Sequence, residues 1–273
     1  MTATTQNTLH CEKTNEINIH ALAKVVDDAA KNANAIEQLS EQGFALSLPQ
    51  AYQVQDQSLA NRLARGEKQV GIKMGFTSRA KMIQMGVDDM IWGPLTDDMF
   101  IEEGGETPWD KYVHPRVEPE IVFLLKKPLS GNVTLAEAMA AVEAVAPALE
   151  IIDSRYDNFK FSLEDVVADN CSSSGFTIGA WQSNVGDISN LGMVMEFDGQ
   201  AVEIGSSAGI LGNPWRSLAA AARVAGEVGK TLPAGSIVLA GASTAAQALK
   251  PGVHVRLNCE KLGVAEFSVS REA

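Results

Sequence analysis

The sequence predicts an α+β protein, a mixed and strand-rich body entered through an N-terminal helical region. Apolar residues recur at helical intervals between Ile17 and about Arg65. After residue 70 the pattern changes to segments that alternate apolar with polar residues. Those strands do not alternate regularly with helices, as a doubly wound parallel sheet requires. The chain divides accordingly into a loose polar N-terminus (1–16), a helical region (17–66) and a strand-rich unit (67–273).

In the helical region Ala21, Val25 and Ala29, then Leu46, Tyr52, Leu59 and Leu63, keep roughly helical spacing, with Ser47 and Pro49 breaking the run. In QVGIKMGFT, Val70, Ile72, Met74 and Phe76 alternate with Gly71, Lys73, Gly75 and Thr77, the period of a strand. Residues 79–112 hold turn signals and short apolar pieces. A second strand follows over 117–127, where Pro119 cannot donate to a ladder and so predicts an edge or a strand start. Thr134-Leu-Ala-Glu137 is a capping box that opens a helix predicted to stop near Pro147, and ALEIID (148–153) is a strand. Asn213-Pro214 starts a further helix that Gly229 ends. SIVLA (236–240) and the alternating VHVRLNCEKLGVAEFSV close the chain as strands.

Lys and Arg number 22 against 34 Asp and Glu, a formal charge of −12 over 273 residues. Such a surface repels nucleic acid and anionic lipid. No run of about 18 apolar residues spans a bilayer, and the first twenty residues lack the basic and apolar regions of a signal peptide. Cys11, Cys171 and Cys259 are odd in number and show no C-x-x-C spacing, which argues against a disulfide framework or structural zinc. A cytoplasmic location is expected.

Chemistry concentrates around Val117-Glu118-Pro119-Glu120. Residues two apart on a strand share a face, so Glu118 and Glu120 project side by side while Val117, Ile121 and Phe123 point the other way. Glu150 sits inside the apolar strand ALEIID, where a carboxylate is costly to bury unless paired or bound to metal. Three carboxylates with no histidine or thiolate describe a site for a hard cation, Mg²⁺ or Mn²⁺; the alternative is that all three are solvated on exposed faces. Lys73 shares a strand face with Gly71, Gly75 and Thr77. Small neighbours let a ligand approach there, although a lysine on an edge strand also simply discourages aggregation. Gly205-Ser206-Ser207-Ala208-Gly209 matches the nucleophile-elbow pattern with His254 downstream, but no helix follows directly, as an elbow needs.

Four segments, in this order and spacing, resemble the hydratase/decarboxylase branch of the fumarylacetoacetate hydrolase superfamily. They are GIKMGFTSRAKMIQMGVDDMIWGPLTDDM, HPRVEPEIVFLL, PALEIIDSRY and VADNCSSSGFTIG. The resemblance runs from about residue 17 to the C-terminus and marks 67–273 as the catalytic domain. It implies a mixed β-roll core and a Mg²⁺ or Mn²⁺ cofactor held by Glu118, Glu120 and Glu150. Lys73 would be the catalytic lysine of the K-x-G-x-T motif. Asp169, Asn170, Ser172 and Ser173 would line the substrate pocket. Arg79, Lys81, Arg116 and Arg155 are candidates for steering or weakly binding an anionic substrate, and Arg116 is the one carried forward as a substrate contact.

Within that branch, hydratases read P-D-F-G where this chain has Met90-Ile91-Trp92-Gly93, so Ile91 stands in place of an acid. The implied reaction is therefore decarboxylation of the 2-oxo dicarboxylate 2-oxo-3-hexenedioate. Hydration of 2-oxopent-4-enoate is the alternative, and a non-catalytic subunit that partners the hydratase is an alternative of another class. The resemblance also implies association with a 2-oxopent-4-enoate hydratase and is compatible with a homo-oligomer.

Overall fold

A computed structural model of the chain describes residues 17–79, 82–83 and 87–271. The loose N-terminus expected over 1–16 lies outside the described residues, as do Cys11 and Lys81.

Helix α1 (Ile19–Lys31) opens on Asn18, whose side chain accepts the Ala21 N–H at 3.0 Å. Helix α2 (Leu48–Ala64) opens at the predicted interruption: the Gln50 side chain accepts the Ser47 N–H at 2.9 Å, and Pro49 occupies the first turn, where no N–H is required. There follow β1 (Gln69–Gly75), β2 (Ile91–Thr96), β3 (Phe100–Ile101), β4 (Glu106–Thr107), β5 (Arg116–Leu125), α3 (Leu135–Ala140) and β6 (Val142–Ile152). After them come α4 (Leu163–Ala168), β7 (Ser173–Ile178), β8 (Gly192–Phe197), β9 (Gln200–Ser206) and α5 (Pro214–Glu227). The chain closes with β10 (Ile237–Leu239), β11 (Gln247–Ala248), β12 (His254–Cys259) and β13 (Gly263–Val269).

The strands form two mixed sheets. The larger runs β2-β1-β10-β5-β6-β7-β3, with β11 also pairing β5; the smaller runs β4-β13-β12-β8-β9. Inward residues of β12 and β13, among them Leu257, Ala265 and Phe267, join Ile121, Val145 and Leu149 of the larger sheet in one core. In the same core, Phe123 meets Trp215 of α5 with ring centroids 4.7 Å apart. A second core, containing Leu22, Val26, Ala51 and Val54 of the two N-terminal helices, packs against Ile91, Tyr156, Val166 and Cys171.

Two elements differ from expectation. Pro119 sits inside β5, a central strand, and not at an edge. It falls in the gap between the β11 pairing at Val117 and the β10 pairing at Val122, so its missing N–H breaks no ladder, and its carbonyl accepts from the Ser243 N–H at 3.0 Å. The helix opened by Thr134 ends at Ala140, well before Pro147, because the buried, partly β-branched stretch from Val142 joins β6 and pairs with β5 through Pro147. Asn213 caps α5 by accepting the Trp215 N–H at 3.1 Å, and Gly229 ends it with φ +69°, both as expected. Among the described residues, no helix is long and apolar enough to cross a membrane.

Candidate active site

The register of the larger sheet assembles the site. Glu118 of β5 pairs directly with Glu150 of β6, and Glu120 lies one step along the same face, opposite Ala148. Lys73 pairs with Leu239 of β10, which pairs in turn with Val122 of β5. Directly paired residues share a face, so the even positions of β5 bring Glu118, Glu120, Glu150 and Lys73 to one side. The ligand atoms of the three glutamates fall within 4.8 Å of one another. All three are buried, Glu120 and Glu150 completely. The solvated alternative is therefore excluded by geometry.

Hydrogen bonds anchor Glu150 and Glu120. Lys73 Nζ donates to Glu150 Oε2 at 3.0 Å, and Ser173 Oγ donates to Glu150 Oε1, also at 3.0 Å. The Gly241 N–H donates to Glu120 Oε2 at 2.7 Å, while Glu120 Oε1 is buried with no hydrogen-bond partner among the described residues. Burial pushes the Glu150 carboxyl up, against the pull of the Lys73 ammonium. Burial and then Glu150 push Glu120 well above the usual carboxylate range, and Lys73 offsets this only in part. For Lys73, burial alone would lower the pKa; the surrounding glutamates outweigh it and hold the ammonium above its ordinary value. Among the described contacts, Lys73 is the cation set against these three buried carboxylates.

Above them opens a cavity of about 420 Å³, whose walls include Lys73, Glu118, Ser172 and Arg116. Much of the remaining wall is apolar: Phe76, Ile91, Ile152, Phe159, Phe161 and Val166. The Arg116 guanidinium lies over the Phe159 ring, 4.3 Å from its centroid. Ser172 Oγ is buried and has no hydrogen-bond partner among the described residues. Cys171 also borders the cavity, but burial pushes its thiol up to about 12, which leaves it a neutral wall residue.

The sequence-predicted set is only partly gathered. Glu118, Glu120, Glu150, Lys73, Ser172, Ser173 and Arg116 converge, whereas Asp169 and Asn170 do not line the cavity. Asp169 binds Arg155, and Asn170 Nδ2 donates to the Pro94 carbonyl at 3.1 Å. Arg155 is buried in that pair, and Arg79 is exposed and off the cavity wall, so neither is placed to hold substrate. Ser207 is likewise no nucleophile: its buried Oγ donates to Ile188 O at 2.7 Å and accepts the Leu191 N–H at 2.8 Å.

Residues 73–270 match the profile of the fumarylacetoacetate (FAA) hydrolase C-terminal family. This chain belongs to the fumarylacetoacetate hydrolase family. Among curated proteins, a 4-oxalocrotonate decarboxylase from Pseudomonas sp. is 59% identical over 93% of this chain and 99% of its own. A 2-hydroxypent-2,4-dienoate hydratase from Pseudomonas putida is 37% identical over 77% of this chain and 97% of its own. The solved 4-oxalocrotonate decarboxylase from Pseudomonas putida G7, complexed with magnesium and adipate, superposes with a TM-score of 0.89 at 39% identity, covering 92% of this chain and 97% of that one.

Two features of this family member's site escape sequence reasoning. The aromatic and aliphatic wall comes from separate segments that only the fold assembles. Gly241 had a faint signal, a small-residue cluster (Ala-Gly-Ala-Ser-Thr) directly after the SIVL strand. Its φ is +103°, and a Cβ there would sit 2.1 Å from Thr77 Oγ1, so only glycine lets its N–H reach Glu120.

Proposed function

We propose that this protein is a metal-dependent decarboxylase of 2-oxo-3-hexenedioate (4-oxalocrotonate), giving CO₂ and 2-hydroxypenta-2,4-dienoate, the enol of 2-oxopent-4-enoate, in aromatic meta-cleavage catabolism. One observation carries the proposal: three buried carboxylates and a charged lysine meet at the base of a cavity whose remaining wall is largely apolar. The 4-oxalocrotonate decarboxylases among its relatives, and the magnesium in the solved one, support it.

The residues fit a divalent cation. Glu118, Glu120 and Glu150 supply hard oxygen donors within reach of one ion, and Glu120 Oε1 is a buried oxygen with no hydrogen-bond partner among the described residues. When bound, Mg²⁺ or Mn²⁺ supplies Lewis-acid stabilisation of the negative charge that develops on the 2-oxo group as CO₂ leaves. Lys73, held charged between the glutamates, orients the oxo-acid end of the substrate and gives a proton to the 2-oxygen of the dienolate, forming the enol. Ser172 Oγ donates to the same end. Ile91, Phe161 and Val166 keep water from the carbon that loses CO₂ and favour an uncharged departing group over a carboxylate. Arg116, stacked on Phe159 at the wall, steers the dianion inward without the desolvated grip that would stabilise the leaving carboxylate.

Hydration is the rival reaction, since the hydratase relative shares the family. Ile91 counts against it: it lies on the face of Lys73, paired with Gly75, and offers no acid or base to activate water. The protein would act in the cytoplasm beside a hydratase that consumes its product, and association with that hydratase is part of the proposal. NMR of separate incubations with 2-oxo-3-hexenedioate and 2-hydroxypenta-2,4-dienoate tests it. Decarboxylation of the first with no water added to the second is expected; hydration of the second without CO₂ release from the first would overturn it.

A further inference from the structure

We propose that Arg155, which does not touch the catalytic cavity, is a positioning residue: with Asp169 it clamps the turn Asn170–Ser172 and so fixes Ser172 Oγ against the substrate. The role rests on the decarboxylase assignment above.

The turn is strained. Asn170, Cys171 and Ser172 have φ of +50°, +51° and +60°, three consecutive non-glycine residues in the left-handed region. Each such residue costs roughly 1 kcal/mol or more, less for asparagine, and persists only where its surroundings over-determine it. Here they do. The Arg155 N–H donates to Asp169 Oδ2 at 2.9 Å, its Nε to Oδ1 at 2.5 Å, and its Nη2 to the Asp169 carbonyl at 2.7 Å. Its Nη1 donates to Ser174 Oγ on the far side of the turn. One planar guanidinium therefore brackets the turn at residues 169 and 174, a task a lysine ammonium cannot do with the same geometry. Inside the bracket, Cys171 Sγ donates to the Trp92 carbonyl at 3.1 Å, and the Ser172 carbonyl accepts the Asp153 N–H at 2.7 Å.

The turn presents two hydroxyls to the site. Ser173 Oγ holds Glu150, while Ser172 is on the cavity wall with its Oγ buried and, among the described residues, unpartnered. A buried hydroxyl without a partner is costly unless a ligand oxygen completes it, and the oxo-acid end of the substrate supplies one. Stability alone does not explain the clamp, because a buried ion pair is commonly no more stabilising than apolar residues of the same size. Fixed geometry is what the planar fork adds.

The test compares the wild type with Arg155→Met/Asp169→Asn, which removes both charges together and so leaves no unpaired buried ion. Arg155→Lys and Ser172→Ala are measured alongside. Calorimetry gives the affinity for Mg²⁺, and then, at saturating Mg²⁺, for the non-reacting analogue 2-oxoadipate; KM and kcat for CO₂ release are measured in parallel. Both the double variant and Ser172→Ala are expected to weaken 2-oxoadipate and raise KM at least about tenfold, with Mg²⁺ affinity within about twofold of wild type. Ser172→Ala should add little to the double variant, and Arg155→Lys should recover part of the loss. Unchanged 2-oxoadipate affinity in a folded double variant, or additive effects, would overturn the clamp. Absence of CO₂ release by the wild type would count instead against the decarboxylase assignment, since analogue binding is read without turnover.

Discussion

Glu120 concentrates the electrostatics of the site in one side chain: completely buried, one oxygen on the Gly241 N–H and the other without a hydrogen-bond partner among the described residues. Glu120→Gln should therefore act with opposite signs on two measurements. Calorimetry should show Mg²⁺ affinity falling at least about tenfold, as an anionic ligand is lost. Urea unfolding in chelator should show the metal-free protein gaining about 1–3 kcal/mol, as a buried and uncompensated carboxylate is removed. Asp169 gives the pH dependence. Burial, opposed by Arg155, pushes its carboxyl up to about 6, against about 3.9 in the unfolded chain. Between those values the native state binds more protons, so this residue's contribution to stability falls as pH rises from about 4 through 6. The stability advantage of the wild type over Asp169→Asn should accordingly shrink across that window, by at most about 3 kcal/mol, in urea unfolding at pH 4.5 and 7.5. Much at this scale was legible. The two-residue step from Glu118 to Glu120 and the carboxylate inside ALEIID state their faces without a structure. Asp169 and Asn170 were not legible as supports, because a left-handed turn that aims one serine inward and turns its neighbours away has no periodic signature.

At the scale of elements, the pairing of β5 with β6 makes the site, since a slip of one residue would carry every carboxylate to the opposite face. The N-terminal helices close it from behind. Gln55 of α2 donates to the carbonyls of Trp92 and Val167 at 3.1 and 3.0 Å, tying that helix to β2 and α4 beside the Ile91 wall. Gln55→Leu removes the amide donor from two buried carbonyls, leaving Trp92 O the weaker Cys171 thiol, and should cost about 1–3 kcal/mol in urea unfolding, with Mg²⁺ affinity unchanged. Strands buried on one face announced themselves by alternation, as in β12 and β13; β1 alternates in sequence, although both of its faces are buried through Gly71–Met74. The strand β2 did not, because all six of its residues are buried and it carries Gly93 and Pro94. Pro119 and Pro147 misled for a related reason: a proline forbids a ladder bond only on the side where one is needed, and the sequence does not say which side that is.

For the whole molecule, the formal charge of −12 first excluded polyanionic partners. The fold gathers three of those negative charges into one buried cluster, where Lys73 and a divalent ion would offset them and let an anionic substrate in. Metal binding should then stabilise the folded state as a whole, by about 2.7 kcal/mol when free Mg²⁺ reaches a hundred times its Kd, read as a rise in Tm that Glu120→Gln largely loses. The most direct measurement is CO₂ release from 2-oxo-3-hexenedioate by metal-stripped protein titrated with Mg²⁺. No release without metal and saturable recovery with it are predicted; full release in the presence of chelator, or none at saturating Mg²⁺, would contradict a metal-dependent decarboxylase built on Glu118, Glu120 and Glu150.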